Sequence, residues 1–226
     1  MSAADVIVPV YNEEDILEDF YRRVMALDLD LHLIFIDNAS TDRSLQILQS
    51  FSGVDIIRHD QNEGYGSSLV DGILHGDNDN IIVIDADCEY PPEVIPEILA
   101  ALEDHDVVYT SRLVGRNSSD AAKMPNLKYL GNKVISSLYN GLFRQNVTDL
   151  YTGCKGFKRR CVEGMEFKRT GFEHVLELSC RLSQRGYRIQ DIPIVFEPRH
   201  TGSSKMNHVS ETTKFLYLLL RYRLGQ

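Results

Sequence analysis

Asn80-Ile81-Ile82-Val83-Ile84-Asp85-Ala86-Asp87-Cys88-Glu89-Tyr90-Pro91-Pro92-Glu93 is the stretch whose reading decides the fold. Its β-favouring run, bounded by polar and turn-forming residues, reads as a buried strand. The Asp-x-Asp pair therefore falls where that strand ends. In open α/β sheets, ligands bind outside the carboxyl ends of strands. Carboxylates in that place suit a hard divalent cation held jointly with substrate phosphates. The plainer alternative is that acidic residues only cap the next helix, with Glu93 after Pro91-Pro92 as the candidate.

Toward the N-terminus the same grammar repeats. Val6-Ile7-Val8-Pro9-Val10 reads as a first strand, and Asn12-Glu13-Glu14-Asp15 as the opening of a helix with core positions Ile16, Phe20, Val24 and Leu27. Leu33 to Ile36 reads as a second strand ending in Asp37-Asn38-Ala39-Ser40-Thr41-Asp42, and Val54 to Arg58 as a third. Asn62-Glu63-Gly64-Tyr65-Gly66 is a turn before a helix bearing Leu69 and Ile73. A helix from about Glu93 to Leu102 and a strand at Val107-Val108-Tyr109, stopping at Ser111-Arg112, complete the first half. Strand–helix alternation with short connections predicts an α/β fold: a mostly parallel sheet with helices on both faces. The polar groups at Asn12, Asp37, Asn62, Asp85 and Arg112 all follow strands, so they are expected along one edge of the sheet.

The second half is less regular. Gly115 to Asn126 reads as a polar loop, and Leu127, Leu130, Val134, Leu138 and Leu142 as the apolar stripe of a helix. Thr148 to Gly153 reads as a turn, followed by a basic run at Lys155, Lys158, Arg159 and Arg160. A helix is expected from Phe172 to Gln184, a strand from Arg188 to Phe196, and a loop at Pro198 to Lys205. A final helix carries Phe215, Leu216, Leu219 and Leu220 beside Lys214, Arg221 and Arg223. At 226 residues the expectation is a single domain, with residues 1–110 and 111–226 as its two halves.

Charge divides these halves. Residues 1–110 hold 24 Asp/Glu against 4 Lys/Arg, and residues 111–226 hold 9 against 20. A balance of −20 beside +11 implies that the second half meets something anionic, or that the halves neutralise each other. The four cysteines form no C-x-x-C pair and fit a reducing compartment better than a disulfide framework or a zinc site. Asp5 to Val10 is too short, and lacks the basic flank, for a signal peptide. The longest apolar run, Phe215 to Leu220, falls far below the roughly 18 residues a bilayer span needs. His59, His75, His105, His174, His200 and His208 show no metal-ligand spacing; His174 and His200 are expected to support site residues, and the others to lie at the surface.

As a set, Val8-Pro9-Val10-Tyr11-Asn12-Glu13, Asp37 to Asp42, Asn62-Glu63-Gly64 and Asp85-Ala86-Asp87 resemble the family 2 glycosyltransferases of the GT-A, Rossmann-like fold. Ser111-Arg112, Thr148-Asp149, Thr152-Gly153, Gly171-Phe172-Glu173, Gly186-Tyr187, Asp191 to Ile194, and Arg199 with Gly202-Ser203-Ser204-Lys205 narrow the likeness to polyprenyl-phosphate sugar synthases, such as dolichol-phosphate mannose synthases. Two positions depart from the pattern. Asp37-Asn38 stands where the family often has two aspartates, and Glu89 stands where the mannose synthases often have a neutral amide.

The resemblance implies a transferase that moves a hexose from a nucleotide diphosphate sugar to a polyprenyl or dolichyl phosphate with inversion. Asp87 and Glu89 would hold Mg²⁺ or Mn²⁺ on the leaving diphosphate. Pro9, Tyr11, Glu13, Asp37, Asn62, Gly64 and Asp85 would bind the nucleotide sugar. Arg112 and Arg199, whose forks match a phosphate, would act beside Asp87 in catalysis, and with Lys128, Ser204 and Lys205 would hold the acceptor phosphate. A lipid phosphate is already an anion, so Asp149 and Glu173 are assigned orienting roles. Transfer to a glycan hydroxyl is the enzymatic alternative and would make one of them an indispensable base; a non-catalytic nucleotide-sugar-binding protein is the other. The expected setting is the cytoplasmic face of a membrane, met through an amphipathic helix at residues 214–223, which could instead pack on the core. No nucleic acid is expected. A second copy or a separate membrane partner, and GDP against UDP in the donor, stay open.

Overall fold

The computed structural model describes residues 3–113, 126–195 and 208–224, with backbone alone at 126–128 and 208–213. Seven strands form one sheet: β1 (Ala4–Val10), β2 (Leu31–Asp37), β3 (Val54–Arg58), β4 (Asn80–Ile84), β5 (Val107–Ser111), β6 (Cys154–Lys158) and β7 (Ile189–Pro193). Their order is β3-β2-β1-β4-β6-β5-β7. β6 runs antiparallel to both neighbours, and every other pairing is parallel.

The strands alternate as a sheet buried on both faces requires. Val6, Val8 and Val10 of β1 face one core, with Phe20 of α1 (Leu17–Met25), Leu48 of α2 (Ser44–Leu48) and Ile98 of α4 (Ile95–Asp104). Ile7 faces the other, with Leu69 of α3 (Tyr65–His75), Tyr139 of α5 (Asn126–Phe143), Leu178 of α6 (His174–Gln184) and Phe215 of α7 (His208–Arg223). Each buried Val, Leu or Ile contributes about 1.5–3 kcal/mol before ordering entropy is subtracted. The mostly parallel sheet with helices on both faces is thus as the sequence predicts.

Four details differ. The basic run, given no secondary structure from sequence, holds a strand: β6 carries Lys155 and Lys158 and lies between β4 and β5. Five residues with two lysines and a glycine give no strand signal. The glycine is needed, because a Cβ on Gly156 would stand 2.3 Å from Ile98 Cγ2 of α4. The first helix opens at Leu17 rather than Asn12, which sits in the left-handed region (φ 54°) and ties the β1 turn to the β2 turn. Glu93 caps nothing. It pairs with Arg23 of α1 (Nη2–Oε2 2.6 Å, Nε–Oε1 2.9 Å), joining α1 to the segment after β4.

The middle of the α5 stripe faces away from the core: Leu130, Val134 and Leu138 are exposed, whereas Leu142 packs on the core as expected, the Leu127 side chain lies outside the described residues, and Asn132, Ile135, Ser136 and Tyr139 are buried. The inner face is chosen by polar partners: Tyr139 Oη donates to Ser179 O at 2.9 Å, and Asn132 Nδ2 to Asp149 Oδ1. In α7, Phe215, Leu218, Leu219 and Tyr222 pack on the core, while Leu216, Tyr217 and Leu220 stay exposed beside Lys214, Arg221 and Arg223. Among the described residues no helix is long and apolar enough to cross a membrane.

Candidate active site

The carboxyl ends of β1, β2 and β4 meet as a laced set of turns. Asn12 N donates to Ser40 Oγ at 3.0 Å, Thr41 N to Asn12 Oδ1 at 2.7 Å, and Glu13 N to Ser44 Oγ at 2.8 Å. Tyr11 and Glu13 flank this lacing, half-buried, and Asp37 closes β2 almost wholly buried, accepting from Ser40 N at 3.3 Å. Asn38 explains one departure from the family pattern. Its amide donates to Asn62 Oδ1 at 3.1 Å, and its oxygen accepts from Glu63 N at 2.8 Å and pairs with His59 Nδ1 at 3.0 Å. A carboxylate could not donate that first bond. His59 is accordingly buried, held also by Asp71 at 3.0 Å, and not the surface residue expected.

Gly64 follows at φ 99°, where a Cβ would meet Thr170 O at 2.3 Å. That approach brings Tyr65 over the strand end. Its hydroxyl donates to Asp85 Oδ1 at 2.9 Å while its ring stacks on Phe172, centroids 5.3 Å apart. Gly153 closes the other side: a Cβ there would lie 2.0 Å from Asp85 Oδ2. Burial pushes the Asp85 carboxyl up to about 7, and the Asp87 charge pushes the same way.

Past Asp85 the chain turns at Cys88 (φ 56°), and Glu89 N donates to Asp87 Oδ1 at 2.9 Å. Asp85, Asp87 and Glu89 therefore crowd into five residues, all oxygen donors, with like charges opposing one another. This donor set fits a hard divalent cation, which would relieve that repulsion. Asp87 and Glu89 are the residues that could hold it.

Arg112 lies beside this strand end but not in the open. Its Nε and Nη2 fork onto Asp149 Oδ2 and Oδ1 at 2.7 and 2.9 Å, and the guanidinium sits 5.2 Å over the buried Tyr90 ring. Burial would lower the Arg112 pKa and raise that of Asp149, but their mutual attraction wins in both cases. The sequence placed Arg112 on a phosphate without finding its partner. Ser111 Oγ meets Thr148 Oγ1 at 2.6 Å, and Thr148 N and Oγ1 both donate to Asp191 Oδ2 at 2.6 Å, so these motif residues brace β5 against β7. Lys128 lies on α5, its side chain outside the described residues, as are Arg199, Ser204 and Lys205 entirely.

Three residues escaped the sequence. Tyr65 and Tyr90 carried a signal, as aromatics inside glycine- and acid-rich turns. Lys155 carried none. It is wholly buried at 5.1 Å from the Tyr109 ring, and its Nζ has no hydrogen-bond partner among the described residues. Burial lowers its pKa to about 8, opposed first by the attraction of Asp85. His174 is buried against the Phe167 ring, and burial takes its pKa down to about 4.

A Rossmann-like sheet with a carboxylate-rich strand end at its carboxyl edge has the architecture of the GT-A glycosyltransferases. The model of Glycosyl transferase family 2 matches residues 5–165, and the chain belongs to that family. Among curated relatives, a dolichol-phosphate mannosyltransferase of Pyrococcus furiosus is 29% identical over 97% of this chain, which spans 62% of that protein's length. A dolichyl-phosphate hexose transferase of Haloferax volcanii is 28% identical over 89% of this chain and 86% of its own length. In structure, glucosyl-3-phosphoglycerate synthase of Mycobacterium tuberculosis, solved with Mn²⁺, UDP and phosphoglyceric acid, superposes with a TM-score of 0.71 at 19% identity, covering 99% of this chain and 79% of its own. A Pyrobaculum calidifontis mannosyltransferase solved with GDP-mannose and Mn²⁺ gives 0.62 at 18% identity, covering 85% and 55%.

Proposed function

We propose that this chain transfers a hexose from a nucleotide diphosphate sugar to the phosphate of a polyprenyl lipid. The observation that carries the reading is the Asp85-Ala86-Asp87-Cys88-Glu89 strand end beside the buried Arg112, in a chain aligned over nearly its whole length with a lipid-phosphate mannosyltransferase. The donor lies across the β1, β2 and β4 ends, with Pro9, Tyr11, Glu13, Asp37, Asn62 and Gly64 around the nucleoside. Asp85, steadied by Tyr65 and Gly153, faces the sugar and ribose. Asp87 and Glu89 would hold a divalent cation, which would neutralise charge on the leaving diphosphate.

The acceptor needs no deprotonation. A phosphate oxygen attacks the anomeric carbon as its bond to the diphosphate breaks, and configuration inverts. Against attack by a glycan hydroxyl stands Asp149: of the two candidate bases, Asp149 and Glu173, it is the wrong kind of group for that role. It accepts from Arg112 and Asn132 and is held below the ordinary carboxylate range. Arg112, braced by Asp149 and Tyr90, supplies fixed positive charge to the acceptor phosphate; Lys128, Arg199, Ser204 and Lys205 add to it.

The lipid arrives at the membrane surface. The exposed Leu130, Val134 and Leu138 of α5 and Leu216, Tyr217 and Leu220 of α7 lie on two helices packed together, with Lys133, Lys214, Arg221 and Arg223 around them. Exposed apolar side chains interspersed with cations suit an anionic lipid interface. Mass spectrometry of products from a panel of GDP- and UDP-sugars, offered with polyprenyl phosphate or with phosphoglyceric acid, tests the whole reading. A glycosylated polyprenyl phosphate is expected, abolished by EDTA and by Asp87→Asn. Full activity in metal-free buffer, or transfer to the soluble acceptor alone, overturns it.

A further inference from the structure

At the end of the sheet away from the acidic strand ends, four side chains meet that no part of this reaction uses. Asp5 and His32 stand opposite one another in the β1–β2 register. Asp55, opposite Ile34, lies two residues further along, hence on the same face. His75 is the last residue of α3, which packs on that face. His32 Nε2 lies 3.0 Å from Asp55 Oδ2, and His75 Nε2 reaches the same oxygen at 2.6 Å. The three ligand atoms lie within 4.8 Å of one another.

Asp5 sets the tautomer of His32. It is wholly buried and already compensated: Arg159 Nη2 and Asn78 N donate to its Oδ2, and Asn78 Nδ2 to its Oδ1 at 2.8 Å. His32 Nδ1, at 2.9 Å from Oδ1, carries the hydrogen for that contact. Nε2 of that ring then faces the Asp55 oxygen. Two acceptors at that distance need a positive centre, either a proton or a metal. The second imidazole, aimed at the same oxygen, gives a metal three donors at one point.

We propose that His32 Nε2, His75 Nε2 and the Asp55 carboxylate bind a borderline divalent transition metal, Zn²⁺ before others, as a structural clamp between β2, β3 and α3. Imidazole and carboxylate are zinc ligands, whereas the all-oxygen Asp87–Glu89 pair suits a harder ion. A carboxylate behind a ligating histidine is the usual support for such a ring, and Asp5 holds that place. With bonds of about 2.0–2.1 Å in a tetrahedron, ligand atoms stand roughly 3.3–3.4 Å apart. The two Asp55 contacts, at 3.0 and 2.6 Å, reach that spacing by opening less than about 1 Å, and the Asp55 and His75 side chains, 48% and 42% exposed, have room to do so. Water fills the fourth position. The surplus of carboxylates in residues 1–110 adds long-range attraction for a cation.

The test uses the whole chain carrying Asp87→Asn, so that uptake at the catalytic edge does not contribute. After chelator treatment, titration with Zn²⁺ alone at neutral pH should give one equivalent and raise the Tm. Co²⁺ in its place should give the strong visible absorption of tetrahedral coordination. Adding His75→Gln, an exposed change, should weaken Zn²⁺ binding at least tenfold and remove the Co²⁺ band, as should Asp55→Asn. Millimolar Mg²⁺ should not compete. The proposal is overturned by the absence of a one-equivalent isotherm, by an isotherm that His75→Gln leaves unchanged, or by displacement with Mg²⁺. His75→Gln in the otherwise native chain should leave sugar transfer intact, so failure of the transferase reading shows separately.

Discussion

Replacing Asp149 by Ala should be among the most damaging single changes available outside the apolar core. The carboxylate is fully buried and accepts from Arg112 Nε, Nη2 and N and from Asn132 Nδ2. Its removal leaves a guanidinium whose side chain is 12% exposed facing a void. Breaking a buried pair from one side costs about 3–5 kcal/mol, because the remaining charge is uncompensated. At about 2–4 °C per kcal/mol for a chain of this size, the Tm should fall by roughly 6–20 °C. Urea unfolding with unchanged m-value is the assay. Arg112→Met combined with Asp149→Ala should recover much of the loss, since neither charge is then stranded. The pH dependence gives a second readout. Burial alone would raise the Asp149 carboxyl, but the Arg112 charge and the hydrogen bonds hold it low. The stability so gained is present above the unfolded value of about 3.9 and disappears as pH falls through the lower folded one. Asp149→Ala should lack that acid-side loss. A cost under about 1 kcal/mol, or a double variant as unstable as the sum of the singles, would refute the reasoning.

Gly153→Ala should fold yet lose transfer, because its Cβ would displace Asp85 from 2.0 Å; unimpaired turnover would mean that Asp85 has no fixed position to keep. Vesicles containing anionic lipid should sediment the protein at low salt, and Leu130→Ser with Leu138→Ser or removal of residues 214–226 should reduce this; no sedimentation of the intact chain would send the lipid to another face. Lys155→Met should flatten stability between pH 8 and 10. The buried lysine is lowered to about 8, so its cost is full below that pH and relieved as pH rises toward the unfolded value of about 10.4. A wild-type profile equally flat would contradict a lowered Lys155 pKa.

By itself the sequence determined the sheet and its direction. β1 to β5 announce themselves through apolar, largely β-branched runs ending in polar residues, and short connections favour parallel crossovers with helices on both faces. The acidic end of β4 was legible for the same reason, being a local pattern placed by a strand. What escaped depends on partners far along the chain. β6 is a strand because β4 and β5 flank it, and nothing in Cys-Lys-Gly-Phe-Lys demands it. Arg112 and Asp149 are 37 residues apart, and only folding shows that the arginine is held rather than open. The middle of the α5 stripe turned outward because Asn132, Ser136 and Tyr139 had buried partners to reach, which apolar periodicity does not register. His32, Asp55 and His75 share no sequence spacing at all. Strand register and the end of a helix bring them within 4.8 Å, and a linear pattern carries no term for that.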